Sequence, residues 1–226
     1  PNEAGEYELP GDVSGADIQN VLDNAPTGST IIIPAGTHSF SGGFQVNNPH
    51  LTILLKDGAI IQNASPCFIV AADYTRITTE SIGGAKCVPT DGSNGIDVNA
   101  GITDIRIEGL EIDGTGQTTA DGIHFAGAVA DVLIDDNFIH NLSANGINFT
   151  SAPANVEIKG NLIKNNGALG IAAPIDLDVT YNSWGTVAGA TADSDVSAVI
   201  INNDPFTHVE LSLVSSGTPW ADHVKE

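Results

Sequence analysis

The middle of the chain repeats a short pattern at an interval of about two dozen residues, and this repetition constrains the fold more than any other feature. A Gly-Ile pair begins a repeat at Gly95, Gly122, Gly146 and Gly170, with steps of 27, 24 and 24 residues. Self-similarity at such an interval is typical of a solenoid, in which each unit buries its apolar face against its neighbours. The repeats therefore predict stacked coils.

A second apolar segment follows each Gly-Ile pair, and its residues alternate with a period of two, which is the period of a strand. Equivalent residues recur in the same chain direction, so neighbouring strands must be parallel. Three columns align: Ile105, Val132, Val156 and Leu177; Ile107, Ile134, Ile158 and Val179; Ile112, Ile139, Ile163 and Trp184. We predict an all-β fold, a right-handed parallel β-helix of about seven or eight coils within residues 1–206.

One helix is predicted near the start, over about residues 14–25. Ser14 is a suitable N-cap, and the apolar stripe of this helix consists of Ile18, Val21, Leu22 and Ala25. A single amphipathic helix before a run of strands suits the covering of an open solenoid end, where strand edges and apolar side chains are bare.

Residues 207–226 lack the repeat. Val209, Leu211 and Leu213 alternate there, which predicts a strand-like cap or a linker to a following module. Because a β-helix that stops abruptly presents unpaired edges, we expect homo-assembly or contacts with neighbouring modules through the solenoid ends.

Two further patterns predict structural roles. Asn137, Asn161 and Asn182 fall at one turn of successive repeats, which indicates an asparagine ladder. Cys67 and Cys87 are 20 residues apart, close to one coil, so they are expected one above the other and bridged; two buried free thiols are the alternative.

Charge limits the partners. The sequence has 28 acidic and seven basic residues and a formal net charge of −21, which opposes binding to nucleic acid. No apolar run reaches the ~20 residues of a membrane span, so direct membrane insertion is not expected. With a disulfide, these features favour a secreted or cell-surface protein.

The sequence resembles the pectin-lyase-like right-handed β-helix superfamily. The segment ADIQNVLDNAPTGSTIIIPAGTH is similar to the capping helix and first strand of those domains, and the GI-x-F repeats and YNSWG match their arrays over about residues 13–206. The chain is also similar to β-helix modules of large bacterial extracellular proteins. The resemblance implies a fold that hosts lyases, hydrolases, epimerases, adhesins and inert spacers.

Four residues are candidates for catalysis: Asp113, Asp121, His124 and His140. ADGIHF, which contains two of them, resembles the first motif of polygalacturonase-like hydrolases, which use clustered aspartates and a histidine. The resemblance then requires paired aspartates in the next coil, where this sequence has Ala144 and Asn145.

For a lyase, the resemblance implies an Arg or Lys that abstracts a proton beside carboxylate-held calcium, as in pectate-lyase-like enzymes. The strand alignment places Asp113, His140 and Lys164 in one outward column, which suits either a small polar site or a solvated face.

No cofactor is expected, because the histidines lack ligand-type spacing. Calcium is the alternative, since it takes carboxylate oxygens from loops, and its candidate ligands are Asp113, Asp121, Asp193 and Asp195.

The sequence favours a non-catalytic extracellular module, a surface scaffold, filament or adhesin unit that binds glycan. The alternative is a polysaccharide-active enzyme, a glycoside hydrolase or lyase of the same superfamily. A groove with convergent carboxylates, or with carboxylates beside a base, distinguishes the two.

Overall fold

The structure, a computed structural model, describes residues 5–63, 66–90, 92–175, 177, 179 and 182–183, and the backbone of 210–211 and 224–225. Each coil contributes one strand to each of three parallel sheets, here called sheets A, B and C in the order in which the chain visits them. The fold is a parallel β-helix of about seven turns, as the repeats predicted.

The strands are listed in spatial order within each sheet. Sheet A contains β1 (Glu6–Glu8), β2 (Thr30–Ile33), β5 (Thr52–Leu55), β8 (Thr75–Thr79), β11 (Thr103–Glu108), β14 (Ala130–Asp135) and β17 (Ala154–Lys159). Sheet B contains β3 (Gly36–His38), β6 (Ala59–Asn63), β9 (Lys86–Pro89), β12 (Glu111–Asp113), β15 (Phe138–His140) and β18 (Leu162–Lys164). Sheet C contains β4 (Phe44–Val46), β7 (Phe68–Val70), β10 (Ile96–Val98), β13 (Ile123–Phe125), β16 (Ile147–Phe149) and β19 (Ile171–Ala172).

The core consists of columns of equivalent residues, one from each coil. From β2 to β17 of sheet A the central column is entirely isoleucine, and all of these members are buried: Ile31, Ile53, Ile77, Ile107, Ile134 and Ile158. A β-branched side chain packs well on its own copy in the next strand of a sheet. Stacking therefore buries in every coil what one coil alone leaves exposed.

The three columns aligned in the sequence have the predicted register over β11, β14 and β17 and over β12, β15 and β18. Val179 is buried and Leu177 packs against the core. Trp184 lies outside the described residues.

The repeated glycines mark a close approach between coils rather than an unusual backbone angle. A Cβ atom built on Gly95 or Gly122 would lie 2.5 Å from the carbonyl oxygen of the glycine in the next coil, and one on Gly146 would lie 2.6 Å from that of Gly170. No side chain fits there, so the Gly-Ile pair recurs at the entries to β10, β13, β16 and β19.

Asn137, Asn161 and Asn182 form a buried ladder at the turn between sheets A and B. Oδ1 of Asn161 accepts hydrogen bonds from the backbone N–H and the side-chain amide of Asn137, each at 2.9 Å. Asn182 accepts the same pair from Asn161 at 3.0 and 2.9 Å. The ladder gives partners to the polar groups of a turn that is shut off from water.

The disulfide is confirmed, but its expected geometry is wrong. Cys67 and Cys87 are bridged, with Cα atoms 6.0 Å apart. They are not stacked equivalents: Cys87 lies in β9 between Ile61 and Ile112, whereas Cys67 precedes β7 at the corner between sheets B and C. The spacing of 20 residues is shorter than a full coil, so the bridge joins a corner of one coil to a strand of the next.

The predicted helix covers the N-terminal end. Helix α1 spans Gly15–Asn24, Ser14 is its N-cap, and Ile18 and Leu22 are fully buried beneath it. The first strand of sheet C, β4, would otherwise have a bare edge. Gln19 covers that edge: its Oε1 accepts from the N–H of Gln45 at 2.8 Å, and its Nε2 donates to the carbonyl of Gln45 at 3.1 Å. The side-chain amide of Gln19 thus makes the two hydrogen bonds with Gln45 that a neighbouring strand would make.

Near the C-terminus of the chain, β20 (Glu210–Leu211) and β21 (Val224–Lys225) form a short antiparallel pair. The rest of the tail 207–226, including Val209 and Leu213, lies outside the described residues, so the cap or linker and the contacts through the ends stay predictions. In the described part of the chain, no helix has the length and apolar character needed to cross a membrane.

Asn161→Ala should destabilise the array by on the order of 3 kcal/mol, because it leaves several buried polar groups without partners. Chemical denaturation measures this loss. Asn99→Ala is the control, since Asn99 is exposed, and equal effects of the two changes would contradict a structural role for the ladder.

Gln19→Leu should leave the N–H and C=O of Gln45 unpaired at the edge of sheet C. We expect a loss of about 1–2 kcal/mol and self-association through the exposed edge. Sedimentation and thermal melting measure the two effects. Gln62→Leu is the matched control, because Gln62 is exposed on β6, which pairs with both β3 and β9; a monomeric Gln19→Leu variant of unchanged stability would refute the capping role.

Candidate functional site

The structure divides the four catalytic candidates between two outer faces. Asp113 and His140 lie opposite each other on β12 and β15 of sheet B. His124 lies on β13 of sheet C, and Asp121 lies at the corner just before that strand. The candidates therefore form two separate clusters.

The sheet B cluster joins three coils. Nζ of Lys86 lies 3.0 Å from Oε1 of Glu111 and 3.0 Å from Oδ2 of Asp113. Nε2 of His140 lies 3.0 Å from the same Oε1 of Glu111, and Nδ1 of His140 lies 3.6 Å from Oδ1 of Asp113. The four side chains form a closed set of opposite charges and hydrogen bonds.

Asp113 is held in its ionised form. Burial acts to raise its pKa, but hydrogen bonds from the hydroxyl and the backbone N–H of Thr115, the bond from Lys86 and the charge of His140 outweigh burial and lower the pKa to about 2. A carboxyl with such a pKa is an acceptor and a counter-ion at neutral pH, not a proton donor.

His140 has both ring nitrogens engaged. Nε2 faces Glu111, and the side-chain amide of Asn141 lies 2.7 Å from Nδ1. The ring also stacks on Phe138 at 3.8 Å between centroids, and Nζ of Lys164 lies 4.8 Å above the other ring of that pair. The outward column of Asp113, His140 and Lys164 that the sequence predicted is present. Its histidine, however, is buried, and each of its ring nitrogens faces a protein group.

Sequence reasoning missed Lys86 and Glu111. Both occupy the outward column next to Asp113 and His140. The signal was present in the register, since Lys86, Glu111 and Phe138 are equivalent positions, but β9 belongs to a less regular coil that the repeat alignment did not reach.

The sheet C cluster contains a histidine with one nitrogen oriented and the other open. Nδ1 of His124 lies 3.1 Å from Oδ1 of Asp97, its neighbour in the preceding coil, and Asn94 donates to the same oxygen at 2.6 Å. Asn148 occupies the equivalent position in the following coil. Among the described residues, none hydrogen-bonds to Nε2 of His124.

Asp121 belongs to a second ladder, at the corner before sheet C. Oδ1 of Asn94 accepts the backbone N–H of Asp121 at 2.8 Å, and Oδ1 of Asp121 accepts that of Asn145 at 2.9 Å. Asn145 continues the ladder to Leu169. The other carboxylate oxygen of Asp121 accepts from the amide of Asn148 at 2.7 Å. The structure thus places this candidate in an inter-coil support beneath the dyad of Asp97 and His124.

A third polar region lies at the corner between sheets A and B. A cavity of about 240 Å³ is lined there by Glu80, Glu108, Asp135 and Asp136, among others. Burial and the charge of Asp136 raise the pKa of Asp135. The cavity is acidic: the titratable residues in its lining are Glu80, Glu108, Asp135 and Asp136, and no histidine or cysteine lines it.

The expected metal ligands are also separated. Asp113 joins Glu111 and His140 in a group whose ligand atoms lie within 4.8 Å of one another, so a histidine does take part in a ligand-like cluster that its sequence spacing did not indicate. Asp121 lies on another face, and Asp193 and Asp195 fall outside the described residues.

The depressed pKa of Asp113 predicts a pH-dependent stability. The folded pKa of about 2 lies below the ordinary 3.8, so the stabilisation is present above about pH 4 and is lost as the pH falls towards 2. Asp113→Asn should therefore cost stability at pH 5 and progressively less near pH 2. Thermal melts across this range measure the difference; the exposed Asp12→Asn is the control, and a cost independent of pH would contradict the ion-pair account.

Comparisons with known proteins place the fold. No protein-family model and no curated protein matches the sequence. The structure is similar to an alginate lyase from Paenibacillus sp. str. FPU-7, at 20% identity and a TM-score of 0.53, over 94% of this chain and 83% of that one. It is also similar to a family 28 exopolygalacturonase from Yersinia enterocolitica, at 13% identity and a TM-score of 0.51, over 80% of this chain and about half (53%) of that one.

At these identities the likeness establishes architecture. Together with the three parallel sheets, the stacked columns and the N-terminal cap, it shows that the chain has the parallel β-helix fold.

Proposed function

We propose that the chain is a secreted polysaccharide-active enzyme that performs proton transfer on a glycan bound at the outer face of sheet C. The non-catalytic module favoured by the sequence has no support among the structural neighbours, both of which act on polysaccharides. They support the alternative, and the buried disulfide suits an oxidising, extracellular compartment.

One observation carries the proposal: His124 is oriented on one side and open on the other. When Nδ1–H of a neutral imidazole donates to a carboxylate, Nε2 carries the lone pair and acts as the base. Asp97 supplies that carboxylate, in the role that the aspartate has in a hydrolase triad. His140 lacks this arrangement, because a protein group faces each of its ring nitrogens.

The site favours elimination over hydrolysis. Hydrolysis by two carboxyl groups requires one of them to donate a proton. Asp97 accepts from Asn94 and His124, and Asp121 accepts from the amides of Asn145 and Asn148. Elimination requires a base that removes the proton next to a uronate carboxylate. The electron pair of that C–H bond forms the double bond, the bond to the glycosidic oxygen breaks, and this oxygen takes a proton from water, so that an unsaturated sugar remains. His124 can be that base.

The substrate class that follows is a uronate-containing polysaccharide. The net charge of −21 opposes its approach, so screening by salt or bridging by divalent cations should raise the rate at low substrate concentration. Because the proton is removed next to the carboxylate, neutral glycans should not react.

His124→Asn should reduce turnover of alginate or polygalacturonate by at least about a hundredfold, the usual contribution of a positioned base. Asn is already present at the equivalent position in the next coil, Asn148, so the fold should tolerate the change. Two assays run in parallel identify the chemistry: ultraviolet absorbance detects unsaturated ends, and a reducing-end assay detects cleavage of either kind.

His50→Asn is the control, because His50 is an exposed histidine with positive φ, a conformation that Asn tolerates; it should retain full activity. Reducing ends without unsaturation would identify a hydrolase. Binding of these polysaccharides without any cleavage by the wild-type protein would overturn the catalytic proposal and support the non-catalytic module.

A further inference from the structure

The outer face of sheet B carries three side chains of the kinds that bind metal ions. Glu111, Asp113 and His140 come from two adjacent coils and offer ligand atoms that lie within 4.8 Å of one another. Two carboxylates and one imidazole suit a borderline divalent ion such as Zn²⁺. The β-ladder fixes all three positions, since Asp113 pairs with His140 and both lie beside the column of Glu111.

A cation from the protein itself already lies among these ligands. Nζ of Lys86 is 3.0 Å from an oxygen of each carboxylate. Lys86 reaches them from the preceding coil, where it pairs with Glu111. The ammonium group thus occupies the position that a metal ion bridging the two carboxylates would take.

We propose that Lys86 acts as a built-in cation that closes a latent Glu–Asp–His metal site, so that the two carboxylates share one positive charge without a metal and the site excludes divalent ions. To bind here, a metal ion must displace an ammonium group that forms two charge-assisted hydrogen bonds. Because that group belongs to the chain itself, no translational entropy is lost when it takes this position. Removal of the ammonium group leaves two carboxyl groups and an imidazole whose ligand atoms lie within 4.8 Å of one another.

The surroundings support this assignment. Thr115 donates two hydrogen bonds to Oδ1 of Asp113, so that Oδ2 is the oxygen that faces Lys86. The remaining nearby cation, Lys164, lies over the ring of Phe138 rather than against either carboxylate. Lys164 therefore does not replace Lys86 when Lys86 is removed.

Titration of Zn²⁺ into the full chain tests the proposal. The Lys86→Ala variant should bind one more equivalent of Zn²⁺ than the wild type. Its affinity for that ion should be at least roughly tenfold higher than the affinity of the wild type for Zn²⁺ at this face. Zn²⁺ should also raise the melting temperature of this variant selectively. Ca²⁺, which prefers oxygen ligands, should produce a smaller shift because one ligand is an imidazole.

Three variants keep the test decisive. Lys86→Gln removes the charge while keeping most of the side chain, in case Lys86→Ala does not fold. Lys86→Ala combined with His140→Ala should lose the additional equivalent, which separates this site from ions bound elsewhere on an acidic surface. Lys164→Ala should behave like the wild type.

Equal Zn²⁺ binding by the wild type and Lys86→Ala would overturn the proposal, because Lys86 would then exclude nothing. Folded Lys86→Ala and Lys86→Gln variants that bind no additional ion would also overturn it, because the three ligands would not form a site. Either result is independent of turnover at sheet C, since the readout is binding and stability.

Discussion

The stacking of each isoleucine on its copy in the next coil is the interaction on which the rest of this structure depends. The column from Ile31 to Ile158 continues unbroken through six coils of sheet A, and the parallel ladder holds it in register. Because the register is fixed by the core, outward residues of successive coils also fall into columns. Both polar clusters are consequences of this: Asp97 meets His124, and Asp113 meets His140, only because the isoleucines beneath them align.

The fold was predictable because its cause is periodic. The repeat interval accounts for the strands, their parallel direction, the buried columns and the Asn137 ladder, because each of these features recurs once per coil. The position of the disulfide was not predictable, because the number of residues between Cys67 and Cys87 does not show how many of them lie in the turns between strands. Nor was the role of Asp121. A carboxylate before a glycine is equally suited to solvent and to the amide of the next coil, and only the close approach of the glycines decides between them.

The two clusters show how partners, rather than residue type, determine what a histidine can do. His140 and His124 each lie beside a carboxylate on an outward strand. Around His140, an ammonium group, two carboxylates and an amide satisfy one another, and the result is a cross-coil brace. Around His124, one carboxylate orients the ring and a nitrogen is left for a ligand. Both histidines were candidates from the sequence, which could not distinguish them. The difference lies in Lys86 and Glu111, which belong to the neighbouring outward column.

The amide of Gln19 has a consequence for how such a chain can change in length. It satisfies one N–H and one C=O of β4 and needs nothing from the coils beyond. Every later coil presents the same kind of edge to its successor, so a duplicated coil placed anywhere behind β4 meets a surface that already fits it. Length can therefore vary by whole coils while the first one stays unchanged. The N-terminal cap therefore stays the same whatever the number of coils behind β4.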